Sequence, residues 1–140
     1  MTKEQAKQIA TLLNERNKLV KEYSPDDVLA KEQNYVYMDE KSTIIACAES
    51  KKVQWYQWEI CHVSVNKTNE GKGLGSKILK LAEKKAIEGG AKILQCTIRS
   101  NNESSLRLFL AKGYTKTTSF FYPNSGNWVH VLQKSVSILE

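Results

Sequence analysis

The 140-residue chain has few of the residues that break or loosen structure: 2 prolines, 7 glycines, no low-complexity tract and no internal repeat. Such a composition excludes a disordered or fibrous chain. No Pro/Ser-rich linker interrupts it, so the expectation is one domain over residues 1–140. Long apolar runs are also lacking. The opening stretch "MTKEQAKQIATLLNERNKLVKEY" holds no block long enough for a signal peptide or a membrane span, which predicts a cytoplasmic protein without membrane association. The three cysteines, Cys47, Cys61 and Cys96, fall in apolar strand-like runs. An odd number without metal-ligand spacing argues for reduced, buried thiols and against a metal site.

What the chain does have is positive charge, +6 overall, with a pI near 9.2. A basic balance suits an anionic ligand such as a phosphate-rich cofactor. The lysines are spread along the sequence rather than clustered, which argues against a nucleic-acid interface.

Local patterns predict an α/β (α+β) fold. Thr2 and Gln5 form a capping box, and Ile9, Leu12, Leu13, Leu19 and Val20 supply an apolar stripe for a helix from Thr2 to about Val20. Ser24-Pro25-Asp26-Asp27 starts a second, short helix. "NYVYM", "TIIACAES" and "VQWYQWEICHVSV" read as three antiparallel strands, with turns at "DEKS" and "SKK". The third is apolar on both faces and should be central. Leu74, Ile78, Leu79, Leu81, Ala82 and Ala86 recur at helical spacing until Gly89-Gly90. "AKILQCTI" is a further strand, and "NNESSLRLFLAKGY" is a helix capped by Asn101 or Asn102. Two final strands, about Tyr114–Tyr122 and Asn127–Val136, flank "PNSGN". The order is α-α-β-β-β-α-β-α-β-β, with antiparallel strands around a central parallel β-α-β unit.

The stretch "NEGKGLGSK" places three glycines at alternate positions just before a helix. Backbone N–H groups at such a turn converge on an anion, the helix dipole assists, and glycine removes Cβ obstruction. The spacing is not that of a nucleoside-triphosphate loop, since Ser76 stands where the second glycine would be. Nor is it that of a dinucleotide fingerprint, because the glycines run G-x-G-x-G and "ILQCTIRSNN" carries no acid.

The run "VSVNKTNEGKGLGSKILKLAEKKA" resembles the acetyl-CoA signature of the GNAT superfamily of N-acetyltransferases, with Glu70, Gly73 and Gly75 at its three key positions. "NESSLRLFLAKGY" resembles the family's second signature, and together the likeness covers about Val53 to Val136. The resemblance implies an acetyl-CoA-dependent N-acetyltransferase. In it, Gly71, Lys72, Gly73, Leu74, Gly75 and Ser76 meet the pyrophosphate, and the backbone of Val63, Ser64 and Val65 pairs with the pantetheine arm. Asn102 and Phe109 complete the cofactor side. It also implies direct attack of the amine on the thioester, with a backbone N–H near Val63 or Ser64 polarising the carbonyl.

The sequence departs from the family pattern in three places. Glu70 replaces the usual Gln or Arg beside the pyrophosphate; either its side chain points away or binding is weaker. Phe109 replaces a tyrosine that protonates the leaving thiolate; a thiolate leaves without much help, and Tyr114 or Tyr122 is a candidate substitute. The family usually begins with a strand and this sequence with a helix, so the expectation is a sheet one strand short, with an edge to be covered or paired in a homodimer.

For the general base, Glu59 lies six residues before Val65, where the histone-acetyltransferase branch of the family has its catalytic glutamate. Desolvation among Trp55, Trp58 and Ile60 would raise its pKa toward a useful range. His62 is the rival. Strict alternation puts it on the face opposite Glu59 and Val63, unless a bulge rotates it. Trp55, Tyr56, Trp58, Phe120, Phe121 and Tyr122 are candidate acceptor-pocket residues. The acceptor itself, a small molecule or a protein amine, is open. The alternative to an enzyme is a CoA-binding module of the same fold that has lost its chemistry.

Overall fold

The computed structural model describes residues 1–17 and 21–136. The predicted order of elements is observed: α1 (Lys3–Asn17), α2 (Pro25–Ala30), β1 (Tyr35–Glu40), β2 (Thr43–Lys52), β3 (Gln57–Val65), α3 (Leu74–Glu88), β4 (Ile93–Arg99), α4 (Glu103–Ala111), β5 (Thr115–Tyr122) and β6 (Asn127–Ser135). Both N-terminal caps form as read. Thr2 and Gln5 exchange side-chain-to-backbone bonds at 3.0 and 2.9 Å, and Ser24 and Asp27 do so at 3.1 and 2.9 Å. Leu19 and Val20, counted in the α1 stripe, lie outside the described residues.

The six strands form one sheet in the order β1-β2-β3-β4-β6-β5. All pairs are antiparallel except β3 with β4. β3 is central, and β1 forms one edge, with α1 and α2 preceding it in the chain. Two apolar clusters sandwich the sheet. Ile9, Leu13 and Val28 of α1 and α2 pack with Tyr35, Ile44 and Cys47 on one face. Ile78, Leu79 and Ala82 of α3 pack with Ile60, Leu94 and Leu132 on the other.

Two expectations about β3 are corrected. The strand begins at Gln57, not Val53, and Ser50–Lys52 belong to β2 rather than to a turn. The ladder runs on through Lys51↔Glu59 and Lys52↔Trp58, so residues 53–56 become the hairpin loop, closed by Val53 N–H to Gln57 C=O at 2.9 Å. Trp55 stands at its tip, 70 % exposed. Trp58 seats its ring so close to Gly89 that a Cβ there would lie 2.3 Å from it. Gly89 is thus a packing glycine, whereas Gly90 (φ 100°) provides the left-handed exit from α3.

The second correction concerns alternation. The β2–β3 register slips between Cys47↔Ser64 and Glu49↔Cys61, so Ala48 faces two residues, His62 and Val63. His62 adopts φ 56°, the left-handed conformation of a bulge. Before the bulge, Glu59 and Cys61 face the α1/α2 side. After it, Ser64 does, and Val63 and Val65 pack toward α3. Glu59 and Val63 therefore do not share a face. His62 turns to the Glu59 side, where it meets Tyr23 and Glu49.

Candidate functional site

β3 and β4 pair only at Gln57↔Ile93, Trp58↔Leu94 and Glu59↔Gln95. Beyond Glu59 they part, because β4 continues along β6 while β3 follows β2 through the bulge. The resulting groove consists of two clefts, the first of about 460 Å³ and the second of about 520 Å³. They share Arg16, Asn17, Val63, Asn102 and Ser105, so they are continuous.

The first half of the groove ends at the glycine turn. Gly71 (φ 78°) and Gly73 (φ 76°) occupy left-handed conformations that L side chains rarely adopt. Gly73 is the N-cap of α3, and the first backbone bond is Lys77 N–H to Gly73 C=O at 3.3 Å. The N–H groups of residues 71–76 have no partner among the described residues, and Gly71, Gly73, Leu74, Gly75 and Ser76 line the cleft. Val63, Ser64 and Val65 line it from the open edge of β3. Lys72 sits apart: its Nζ donates to Asn69 Oδ1 at 3.3 Å, and it does not line the cleft. Glu70 contributes no free amide, since its N–H bonds to Lys67 C=O at 3.3 Å. Its carboxylate is held by the Arg16 guanidinium from the end of α1, so the charge that would oppose an anion here is countered within the chain.

The second half is built from side chains of β3, β4 and the β5–β6 hairpin. His62 lines it. Its Nε2 lies 3.2 Å from the Tyr23 hydroxyl and 3.9 Å from the carboxylate of buried Glu49. Burial lowers the His62 pKa below 6.5, with Glu49 pulling the other way, so the ring is neutral at neutral pH. Tyr23 is held there by Asn14, through paired bonds to its backbone at 2.9 and 2.8 Å. Asn17 donates to Ser64 Oγ at 2.7 Å and anchors the end of α1 on β3.

Glu59 does not line either cleft. Its carboxylate lies 3.9 Å from Lys51 Nζ and accepts a 3.3 Å bond from Cys61 Sγ. The tryptophans expected to desolvate it do not: Trp55 is at the hairpin tip and Trp58 is on the opposite face.

Asn102 caps α4, accepting from Ser105 N–H at 3.3 Å. Phe109 forms an apolar wall, its ring edge-on to Tyr114 at 4.9 Å. Tyr114 is not a substitute acid, because its buried hydroxyl donates to Glu83 at 2.8 Å on the α3 side. Of the aromatic candidates, Phe120 and Tyr122 line the second cleft; Trp55, Tyr56, Trp58 and Phe121 do not. His130 bonds Ser119 at 2.7 Å and is likewise outside it. Arg16, Asn17, Tyr23, Arg99 and Ser105 had no signal in the sequence reading. One was available: an arginine ending an otherwise uncharged buried strand, "ILQCTIR". Among the described residues, no group of three or more His, Cys, Asp or Glu could hold a metal ion, and no helix is long and apolar enough to cross a membrane.

Comparison with known proteins agrees with this geometry. A putative acetyltransferase from Salmonella typhimurium, yncA, with its cofactor acetyl-CoA, superposes with a TM-score of 0.84 at 19 % identity, covering 100 % of this chain and 93 % of that one. Ard1 from Thermoplasma volcanium gives 0.84 at 13 % identity over 98 % and 95 %. The ribosomal-protein-alanine N-acetyltransferase from Brucella melitensis gives 0.82 at 13 % identity over 97 % of both chains. At these identities the likeness is one of fold. No curated protein matches the sequence. Residues 6–114 match the acetyltransferase (GNAT) family, and a match over that share of the sequence settles membership: the chain belongs to the GNAT acetyltransferase family.

Proposed function

We propose that the protein moves an acetyl group from acetyl-CoA to an amine by direct attack. The observation that carries this reading is the parting of β3 from β4, which joins an anion cradle at one end to a polar cleft at the other. The residues fit the cofactor. The free amides of residues 71–76 suit a pyrophosphate, and the open edge at Val63, Ser64 and Val65 suits the amides of a pantetheine arm. Asn102 and Phe109 wall the groove on the α4 side. Acetyl-CoA, when bound, supplies an acetyl group activated as a thioester.

Direct attack is favoured because the cysteines are poor nucleophiles. Burial pushes the Cys96 thiol up to about 12, and burial with the Glu59 charge pushes Cys61 up as well. His62 is the group we assign as general base. It lines the cleft and is neutral, and a proton taken up by its ring is met by the Glu49 carboxylate. Glu59 is the second reading: it faces the same side at the last paired position before the strands part, and would act through water. With Phe109 unable to donate a proton, the thiolate leaves unaided, as a thiol of pKa about 8.5 permits.

The test is thiol release from acetyl-CoA with a panel of amines, with the acylated product identified by mass spectrometry. Amine-dependent release is expected. CoA binding by calorimetry with no turnover on any amine would instead favour a non-enzymatic CoA module, and absence of CoA binding would overturn both.

A further inference from the structure

Two arginines line the groove, and only one of them is matched to an acid. Arg16 is held by Glu70. Arg99, half-buried at the end of β4, has no ion pair and no side-chain hydrogen bond among the described residues. Alternation along β4 sends Leu94, Cys96 and Ile98 into the α3-side cluster, which leaves Arg99 on the face shared with Gln95 and Thr97. There it lines the second cleft beside Phe120 and Tyr122. It does not line the first cleft, where the glycine turn meets its anion.

The charge of that second cleft is one-sided. Its basic residues are Arg16, Arg99 and His62, and no carboxylate lines it. An amine arrives as an ammonium ion. Arg16 is offset by Glu70, but the Arg99 guanidinium has no acid and repels it, unless the same molecule carries a negative group to meet it. An arginine partly withdrawn from water and lacking an acid in its own chain is suited to receive one from a ligand.

We propose that Arg99 selects the acceptor, and that the acceptor is a small amine bearing a carboxylate, of the free amino acid type. The inference rests on the acetyltransferase reading above and names the substrate class for the same site. The planar guanidinium meets the carboxylate through two parallel N–H donors, which fixes the direction from which the amine enters. Polyamines and amino sugars, which add positive charge and no negative charge, are disfavoured by the same arrangement.

The test compares free amino acids with their carboxamides, with polyamines and with peptides of neutral sequence, using thiol release from acetyl-CoA. Wild-type protein is expected to favour the carboxylates. Arg99→Gln should lower kcat/KM for them about 10- to 100-fold and change it little for the carboxamides, with Arg99→Lys recovering part of the loss. A second arm reads binding without turnover: N-acetyl amino acids titrated into CoA-saturated protein by calorimetry should bind wild type and lose affinity in Arg99→Gln. Equal use of carboxylates and carboxamides overturns the proposal. So does acetylation confined to polyamines or neutral peptides, or an Arg99→Gln defect expressed only in CoA affinity. Failure of the acetyltransferase reading is separable, since it appears as absent thiol release with every amine in wild type that binds CoA, while the binding arm reports on Arg99 without turnover.

Discussion

The two halves of the groove are made of different material. The half at the glycine turn is mostly main chain: unpartnered N–H groups from residues 71–76 and the open edge of β3. The half at the β5–β6 hairpin is mostly side chain: His62, Arg99, Phe120 and Tyr122. A main-chain site recognises what is common to all bearers of a diphosphate, and it needs only a backbone conformation. A side-chain site recognises what is particular to one ligand, and every residue in it can vary. On the function proposed above, the same chain holds a general site and a specific one end to end.

The sharpest way to break this contrast is to remove one side chain from the specific half. His62→Asn should lower kcat by about 10²- to 10⁴-fold with CoA affinity unchanged. Glu59→Gln should do so less than His62→Asn; the reverse order would exchange their roles. Since the His62 pKa is lowered by burial, the neutral form persists below pH 6.5, and activity should fall only as pH drops through that lowered value. The unfolded chain takes up the proton first, so stability contributed by the neutral ring is present above pH 6.5 and is lost as pH falls below it. In His62→Asn both acid limbs should flatten in pH–rate and pH–denaturation profiles.

The next test adds a side chain to the general half. Gly73→Asp should weaken CoA binding more than about 100-fold by calorimetry, because a carboxylate then stands at the helix N-terminus. The overall fold should survive by circular dichroism, since nothing lies within 4 Å of the new Cβ, while the positive φ (76°) strains any L residue in the turn, so Gly73→Ala is the uncharged control. Normal affinity would remove the pyrophosphate assignment. A change outside the groove serves as the control. Gly89→Ala should cost about 1–3 kcal/mol in chemical denaturation through overpacking against Trp58, while the Michaelis constants stay put.

The smallest effect lies at the seam between the halves. Arg16→Ala exposes the Glu70 carboxylate to the bound phosphates and should weaken CoA binding about tenfold, as 1–2 kcal/mol of repulsion between near-surface charges would. Adding Glu70→Gln to that variant should restore affinity. A double variant no better than Arg16→Ala would mean that Arg16 itself touches the cofactor.

The general half was legible in the sequence because backbone geometry has a residue signature. Gly71 and Gly73 are glycines because their φ angles are positive, and the spacing of the helix after them is fixed by its apolar stripe. The caps at Thr2, Ser24 and Asn102 were legible for the same reason. The specific half was legible only in part: His62, Phe120 and Tyr122 stood out by residue type, whereas Arg99 and the geometry around them did not. Val53 to Tyr56 look like strand by composition, yet form a turn, since the pairing of Lys51 with Glu59 sets where β2 ends. Arg16 reaches Glu70 only because α1 lies across the sheet in a particular direction, and no local pattern encodes that. The bulge at His62 is silent as well: histidine is no marker of positive φ, so period-two reasoning carried Glu59 and Val63 onto one face when they lie on two.

That single extra residue gives β3 a break in parity. Ahead of His62, odd-numbered positions answer to the α1/α2 side; behind it, even-numbered ones do. A positional scan of the strand should therefore show its sensitivity pattern slip by half a period at residue 62, and a one-residue deletion there would re-phase the strand, exchanging the surroundings of Ser64 and Val65.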